Sequence, residues 1–127
     1  MTDAEKFNSV HTDDVIRATP WGLRIGVEYK NRNRENMAKD KAQGVKRTIA
    51  LWFEHRVTSD NLSYEVGYYK VRHQKPGEDP KEFYGRFHCV IKKIKGVWKI
   101  AQDWDDDEIN GHKVSAEDWK KGKAVVF

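Results

Sequence analysis

Two residues of this 127-residue sequence, His88 and Asp103, have the types and the spacing for acid–base chemistry. They flank Lys95 and Gly96, and if those two residues close a hairpin, Ile94 faces Val97 and every earlier and later partner is fixed. Counting outward brings Ile91 to Ile100, Cys89 to Gln102 and Phe87 to Trp104 on one face, with His88 opposite Asp103 and Arg86 opposite Asp105 on the other. A carboxylate facing a histidine orients the ring and favours its charged form. A cross-strand pair on a solvated face accounts for the same spacing, because catalysis needs a cavity as well as two groups.

The remaining chemical candidates are weaker. Asp103, Asp105 and Asp107 match the first ligand positions of a calcium loop, but Glu108 stands where the turn needs glycine and Val114 where a bidentate carboxylate is required. A solvated acidic strand end, or a partner for the basic segment Lys30 to Arg47, explains them better. His11, His55, His73 and His112 form no metal-binding spacing, so no metal and no cofactor is assigned. Cys89, the single cysteine, excludes an internal disulfide and reads as a small buried hydrophobe. There is no G-x-S-x-G elbow and no glycine-rich phosphate loop.

These residues need elements to hold them. With 38% hydrophobic and 35% charged residues, much of the buried area must come from large rings, here 12% of the chain including five tryptophans. The length suits one domain, residues 1–127, with 111–127 as a C-terminal extension that docks on the core. No apolar run approaches the roughly 20 residues a bilayer requires, and MTDAEKF is no export signal, which leads to a soluble cytoplasmic protein without a membrane partner. The net charge of +4 selects no partner. Lys30, Arg32, Arg34, Lys39 and Lys41 are a solvated helical face diluted by acids, with no recognition motif, which argues against nucleic acid.

Along the chain, Ala4 to Val10 reads as a short helix, Val15 and Ile16 as a brief extended segment, and Trp21 to Ile25 as a turn or paired short strands. Val27 to Gln43 reads as a helix stopped by Gly44. Period-two alternation then marks four strands: Lys46 to about Val57, Leu62 to Val71, Phe83 to Ile94, and Val97 onward. Ser115 starts a possible last helix anchored by Trp119.

This order resembles the nuclear transport factor 2-like superfamily, in particular its small bacterial polyketide-cyclase-like and steroid-isomerase-like branch. The resemblance rests on HTDDVIRATPWG at His11 to Gly22, LSYEVGYYKV at Leu62 to Val71 and YGRFHCVIKKIKGVWKIAQDW at Tyr84 to Trp104. It implies an α+β fold in which a strongly curved antiparallel sheet of four long strands plus short ones wraps on helices as a cone. A pocket inside and a dimer through the sheet are also implied. Two departures stand out. The long first helix that lines such cones is missing, so Trp119 and Val125 to Phe127, or a second subunit, are expected to cover the apolar face. Steroid isomerases of the superfamily place a carboxylate just before the proline, but here that residue is Thr19, whose hydroxyl cannot serve as a general base near neutral pH.

The expected function is binding of a small apolar or amphipathic molecule by a homodimer. Phe53, Phe87 and Trp104 form the walls, Gln102 supplies the polar handle, and Trp21, Tyr68 and Tyr69 are further lining candidates, of which alternation admits one of the two tyrosines. The alternatives are an enzyme of this fold, lyase, isomerase or hydrolase, using His88 and Asp103, and an association module without a ligand.

Overall fold

The computed structural model describes residues 3–123 and 125–126. The elements run α1 (Ala4–Ser9), β1 (His11–Thr19), β2 (Gly22–Ile25), α2 (Val27–Ala42), β3 (Lys46–Thr58), β4 (Leu62–Gln74), β5 (Lys81–Ile94) and β6 (Val97–Asp106). A small hairpin, β7 (Glu108–Ile109) and β8 (His112–Lys113), then α3 (Ala116–Trp119) and β9 (Val125–Val126) complete the chain. Seven strands form one sheet in the order β2-β1-β6-β5-β4-β3-β9. Within it, β1 runs parallel to β6 and all other pairs are antiparallel, so the sheet is mixed. The architecture is an α+β cone with four long strands, and the sheet does not close on itself.

Local sequence accounts for the joints. Asp3 caps α1 by accepting from the Lys6 N–H at 3.0 Å. Gly26, at the start of α2, has a positive φ of 56°, and a Cβ there would lie 2.8 Å from the Asp13 carbonyl oxygen, so only glycine lets β2 turn into the helix. α2 carries charge on nearly every side and buries only Tyr29. It packs on α1, β1 and β2. A helix with so thin an apolar stripe is held by its first turn and leaves its far face to water.

The two faces of the sheet differ. On the outer face, Trp52 stacks on Tyr68 with centroids 4.5 Å apart, and Val114, Tyr84, Ile109 and Trp119 close around them. The chain passes so near at Gly122 that a Cβ would collide with the Trp52 indole. α3 is fixed by a reciprocal cap in which the Ser115 N–H donates to Asp118 Oδ2 at 2.9 Å and Ser115 Oγ accepts from the Asp118 N–H at 3.5 Å. β9 then adds to the β3 edge opposite Ala50 and Leu51. Trp119 therefore covers the outer face, not the inner one as expected from sequence, because the β7–β8 hairpin turns the tail outward; Phe127 lies outside the described residues. The inner face, toward α1 and α2, keeps Ile49, Leu51, Phe53 and Val71 only half-buried and Phe83 exposed.

Candidate functional site

The inner face is assembled by register. Phe53, Gly67, Phe87 and Asp105 form one cross-strand row; Leu51, Tyr69 and Gly85 form the next; Ile49, Val71 and Phe83 the one beyond. Two glycines flatten the rings against the backbone. A Cβ at Gly67 would press the Phe87 ring at 2.9 Å, and one at Gly85 would collide with the Tyr69 ring and its hydroxyl. Phe53 and Phe87 meet edge to face at 5.7 Å. Such a pair is worth about 0.5–1.5 kcal/mol beyond the area it buries.

A charged row adjoins the rings. An irregularity in β3 between Phe53 and His55 puts Arg56 on the same face as Phe53, with its guanidinium 4.1 Å above the ring and donating to Glu65 Oε1 at 2.8 Å. Glu65 pairs across to Cys89, Cys89 to Asp103, Asp103 to Arg17, and Arg17 to Arg24. The Cys89 thiol donates to Asp103 Oδ1 at 3.4 Å. Burial, and then Asp103, push that thiol well above the usual range and oppose formation of the thiolate. Arg17 donates from Nη2 to Asp105 Oδ2 at 2.6 Å and lies 3.7 Å from Asp103. Its Nη1 is buried with no hydrogen-bond acceptor among the described residues.

Burial raises the Asp105 carboxyl despite Arg17, which pulls it down. Burial likewise raises the Tyr69 phenol, with Asp105 next in effect. Behind this row, His11 is fully buried between Phe7 and Tyr29, and the Asp103 charge reaches both His11 and Tyr29. Tyr29, in the first turn of α2, meets His11 through its hydroxyl at 3.5 Å from Nε2, and α2 packs there on β1 and β2. Further along the face a cleft of about 360 Å³ opens over Val71 and Phe83, with Arg47, His73, Lys75 and Lys81 at its rim beside Glu78 and Asp79.

The structure thus brings Phe53, Phe87 and Tyr69 together and separates the other four expected lining residues from them. Trp21 sits in the β1–β2 turn, 82% exposed. Tyr68 is on the outer face under the tail. Gln102 and Trp104 are also on the outer face, because the β5–β6 ladder is interrupted: Ile91 faces Ile100, but Val90 faces Gln102, leaving Ala101 as an extra residue. One inserted residue flips every side chain beyond it. Cys89 and Phe87 therefore face Asp103 and Asp105, not Gln102 and Trp104, and Arg86 faces Asp106. His88 faces Trp104, with ring centroids 6.1 Å apart, and lies on the opposite side of the sheet from Asp103. The expected His88–Asp103 pair does not form.

Sequence reasoning missed Arg17, Arg56, Glu65 and Asp105 as members of the site. Asp105 had one signal, the alternation of acids at 103, 105 and 107, which also fits a solvated strand end; Arg17, Arg56 and Glu65 had none. Among the described residues no three of His, Cys, Asp and Glu converge on a point where a metal could be held.

This geometry, a curved open sheet with helices at one end of its inner face, defines the nuclear transport factor 2-like cone, also called cystatin-like, and the solved structures similar to this chain have that fold. A conserved protein from Planctomyces limnophilus is 23% identical with a TM-score of 0.66, over 82% of this chain and 80% of that one. A ketosteroid isomerase-like protein from Erwinia carotovora is 16% identical with a TM-score of 0.63, over 90% and 83%. A nuclear transport factor 2-like protein with a cystatin-like fold from Novosphingobium aromaticivorans is 12% identical with a TM-score of 0.64, over 94% and 75%. No family model and no curated protein matches the sequence.

Proposed function

We propose that this chain is a binding domain whose working surface is the inner face of the cone, where a small apolar or amphipathic molecule lies across Phe53, Phe87 and Tyr69. The observation that carries the reading is the half-buried apolar ladder of Phe53, Leu51, Ile49 and Val71, with Phe87 buried against Phe53 and Phe83 exposed at the far end, left open between a charged row and a polar rim. Apolar surface of this kind gains about 25 cal/mol for each Å² that a guest removes from water. The neutral dye Nile red tests it. Phe53→Ala should weaken dye binding about tenfold or more, while Trp104→Ala on the outer face should leave it unchanged; the reverse pattern would move the site to the outer face.

A homodimer belongs to the same proposal. Leu23, Ala18, Trp104 and His88 form one outer-face row, and Ile25, Ile16, Gln102 and Val90 the next, with Leu23, Ile25 and Trp104 more than half exposed. Exposed apolar side chains grouped on one face in this way are a common mark of a protein interface. No helix among the described residues is long and apolar enough to cross a membrane. The single, half-buried free thiol of Cys89 fits a cytoplasmic setting.

A second reading, an enzyme of the same fold acting as a lyase, isomerase or hydrolase on a small hydrophobic substrate, is favoured by one feature. Asp105 is a carboxyl raised by burial beside an aromatic wall, the environment of a general base. Turnover that disappears in Asp105→Asn while Nile red binding survives would establish it.

A further inference from the structure

We infer that the free edge of β2 is a docking site for an extended segment of another protein, one that presents an acidic residue flanked on both sides by apolar ones. The segment adds to the sheet as a further strand beside β2. It lies in the plane of the sheet and takes up backbone groups that neither the inner-face guest nor the outer-face contact proposed above would use.

The first argument is the backbone. The sheet has two edges, and the chain's own tail pairs with one of them, β9 against β3. At the other edge, β2 pairs only with β1 among the described residues. The Gly26 N–H donates to the Val15 carbonyl at 2.7 Å, which continues the β1–β2 ladder by one hydrogen-bonded pair. Bonded and non-bonded pairs alternate in an antiparallel ladder, so Arg17–Arg24 is bonded while Ala18–Leu23 and Ile16–Ile25 are not. Leu23 and Ile25 therefore aim their N–H and C=O groups away from β1, out of the edge. Among the described residues no other backbone group takes them up. Such an edge is a template for strand addition, which sheets resist by brevity, charge, proline or a cover. Besides being short, β2 carries one such device, the charge of Arg24, and that charge selects what can be added.

The second argument is the unfinished rows. Arg24 stands on the inner face at the end of the row Glu65, Cys89, Asp103 and Arg17. Arg17 takes both nearby acids, Asp105 at 2.6 Å and Asp103 at 3.7 Å, and Arg24 makes no ion pair among the described residues. It faces the like charge of Arg17 across the ladder, an unfavourable arrangement that an acid on its open side relieves. A residue added opposite Arg24 belongs to a non-bonded pair, the kind in which side chains lie closest. On the outer face, the rows through Trp104 and Gln102 end in Leu23 and Ile25, 57% and 51% exposed. The residues before and after the acid come to lie beside these two, and apolar side chains there remove part of that surface from water. The β2 of a second copy does not fit, because pairing centred on its middle sets Arg24 against Arg24.

Fluorophore-labelled peptides, titrated against the full chain by fluorescence anisotropy, test this. Ser-Thr-Val-Glu-Val-Thr-Ser should bind about fivefold tighter than the same peptide with lysine in place of glutamate, the ratio expected of one cross-strand charge pair. Arg24→Glu should reverse that order. A second test needs no variant: N-methylation of both valines, whose N–H groups would bond Leu23 and Ile25, should weaken binding about tenfold, and N-methylation of the glutamate, whose N–H points away, should not. Equal binding of the acidic and lysine peptides, an order that Arg24→Glu leaves unchanged, or indifference to valine N-methylation would each overturn the inference. Tighter binding of the lysine peptide to the natural chain would fit a second copy's β2 instead and overturn it as well. So would the absence of binding by the acidic peptide at about 1 mM.

Discussion

His11 does at the residue scale what no amphipathic pattern could announce. Its ring is 1% exposed. Nδ1 lies 2.9 Å from the Phe7 carbonyl, which requires that nitrogen to carry the proton, and Nε2 is left to accept from the Tyr29 hydroxyl at 3.5 Å. The neutral imidazole thus ties α1 to α2 across the start of β1. Burial lowers its pKa below the ordinary 6.5; the Phe7 carbonyl and Asp103 favour the charged form, and Lys30 and Arg17 oppose it. With the folded value depressed, the unfolded chain binds the extra proton first. The contribution is complete above pH 6.5 and is lost as pH falls from there toward the folded value, by at most about 1.4 kcal/mol per pH unit. Asp105, raised from 3.8, acts in the opposite sense at lower pH. Urea denaturation at pH 7.5, 6.5 and 5.5 should show this loss in the natural chain and a flatter profile in His11→Gln, although that variant is less stable at every pH. An unchanged slope in the variant would remove His11 as the source.

At the scale of elements, the strands were legible and one irregularity decided the site. Alternation identifies β3 to β6, and the hairpin count gives Ile94 with Val97 and Ile91 with Ile100 correctly. It fails beyond them because Ala101 is small enough to be the extra residue of a bulge without any mark in the sequence. Phe53 and Phe87 keep the faces that alternation assigns, since each lies on a stretch that matches the regular β4 ladder around Gly67. The choice between Tyr68 and Tyr69 needed the β4–β5 register, which sets Gly85 under Tyr69 and Arg86 against Tyr68. Deleting Ala101 tests the bulge directly. The pairs Ile91–Ile100 and Val90–Gln102 would then be consecutive in a regular ladder, which keeps Asp103 and Asp105 on the face of Arg17 and Trp104 on the outer face. With the charged row intact, the variant should lose no more than about 1–2 kcal/mol, seen as a slightly lower urea midpoint with an unchanged slope. A loss of about 3 kcal/mol or more would mean that the deletion separates Arg17 from its partners.

Over the whole molecule, the outer surface of the sheet is divided. The tail from Ile109 to Gly122 occupies the part formed by β3, β4 and β5, where it shields Trp52 and Tyr68. The part formed by β2, β1 and β6 has no such cover among the described residues and presents Leu23, Ile25 and Trp104 to solvent. Both halves have apolar rows, so the difference lies in what is laid on them, and the proposed homodimer supplies for the second half what the tail supplies for the first. A twofold contact would set the strip against its own copy, and a stable one needs roughly 800 Å² from each partner, more than these three side chains offer alone. Ile16, Ala18 and Val90, which lie between them in the two rows, must contribute. Light scattering should therefore give twice the chain mass for the natural protein. It should give a single mass for Leu23→Lys combined with Trp104→Lys, because two like charges facing their copies cannot be buried together. The urea midpoint of that variant at low protein concentration should match the natural chain, because both positions are solvent-facing in the lone subunit. A natural protein that scatters as a monomer at 100 µM (about 1.5 mg/ml for 14.9 kDa) would refute the pairing and leave the strip as exposed surface.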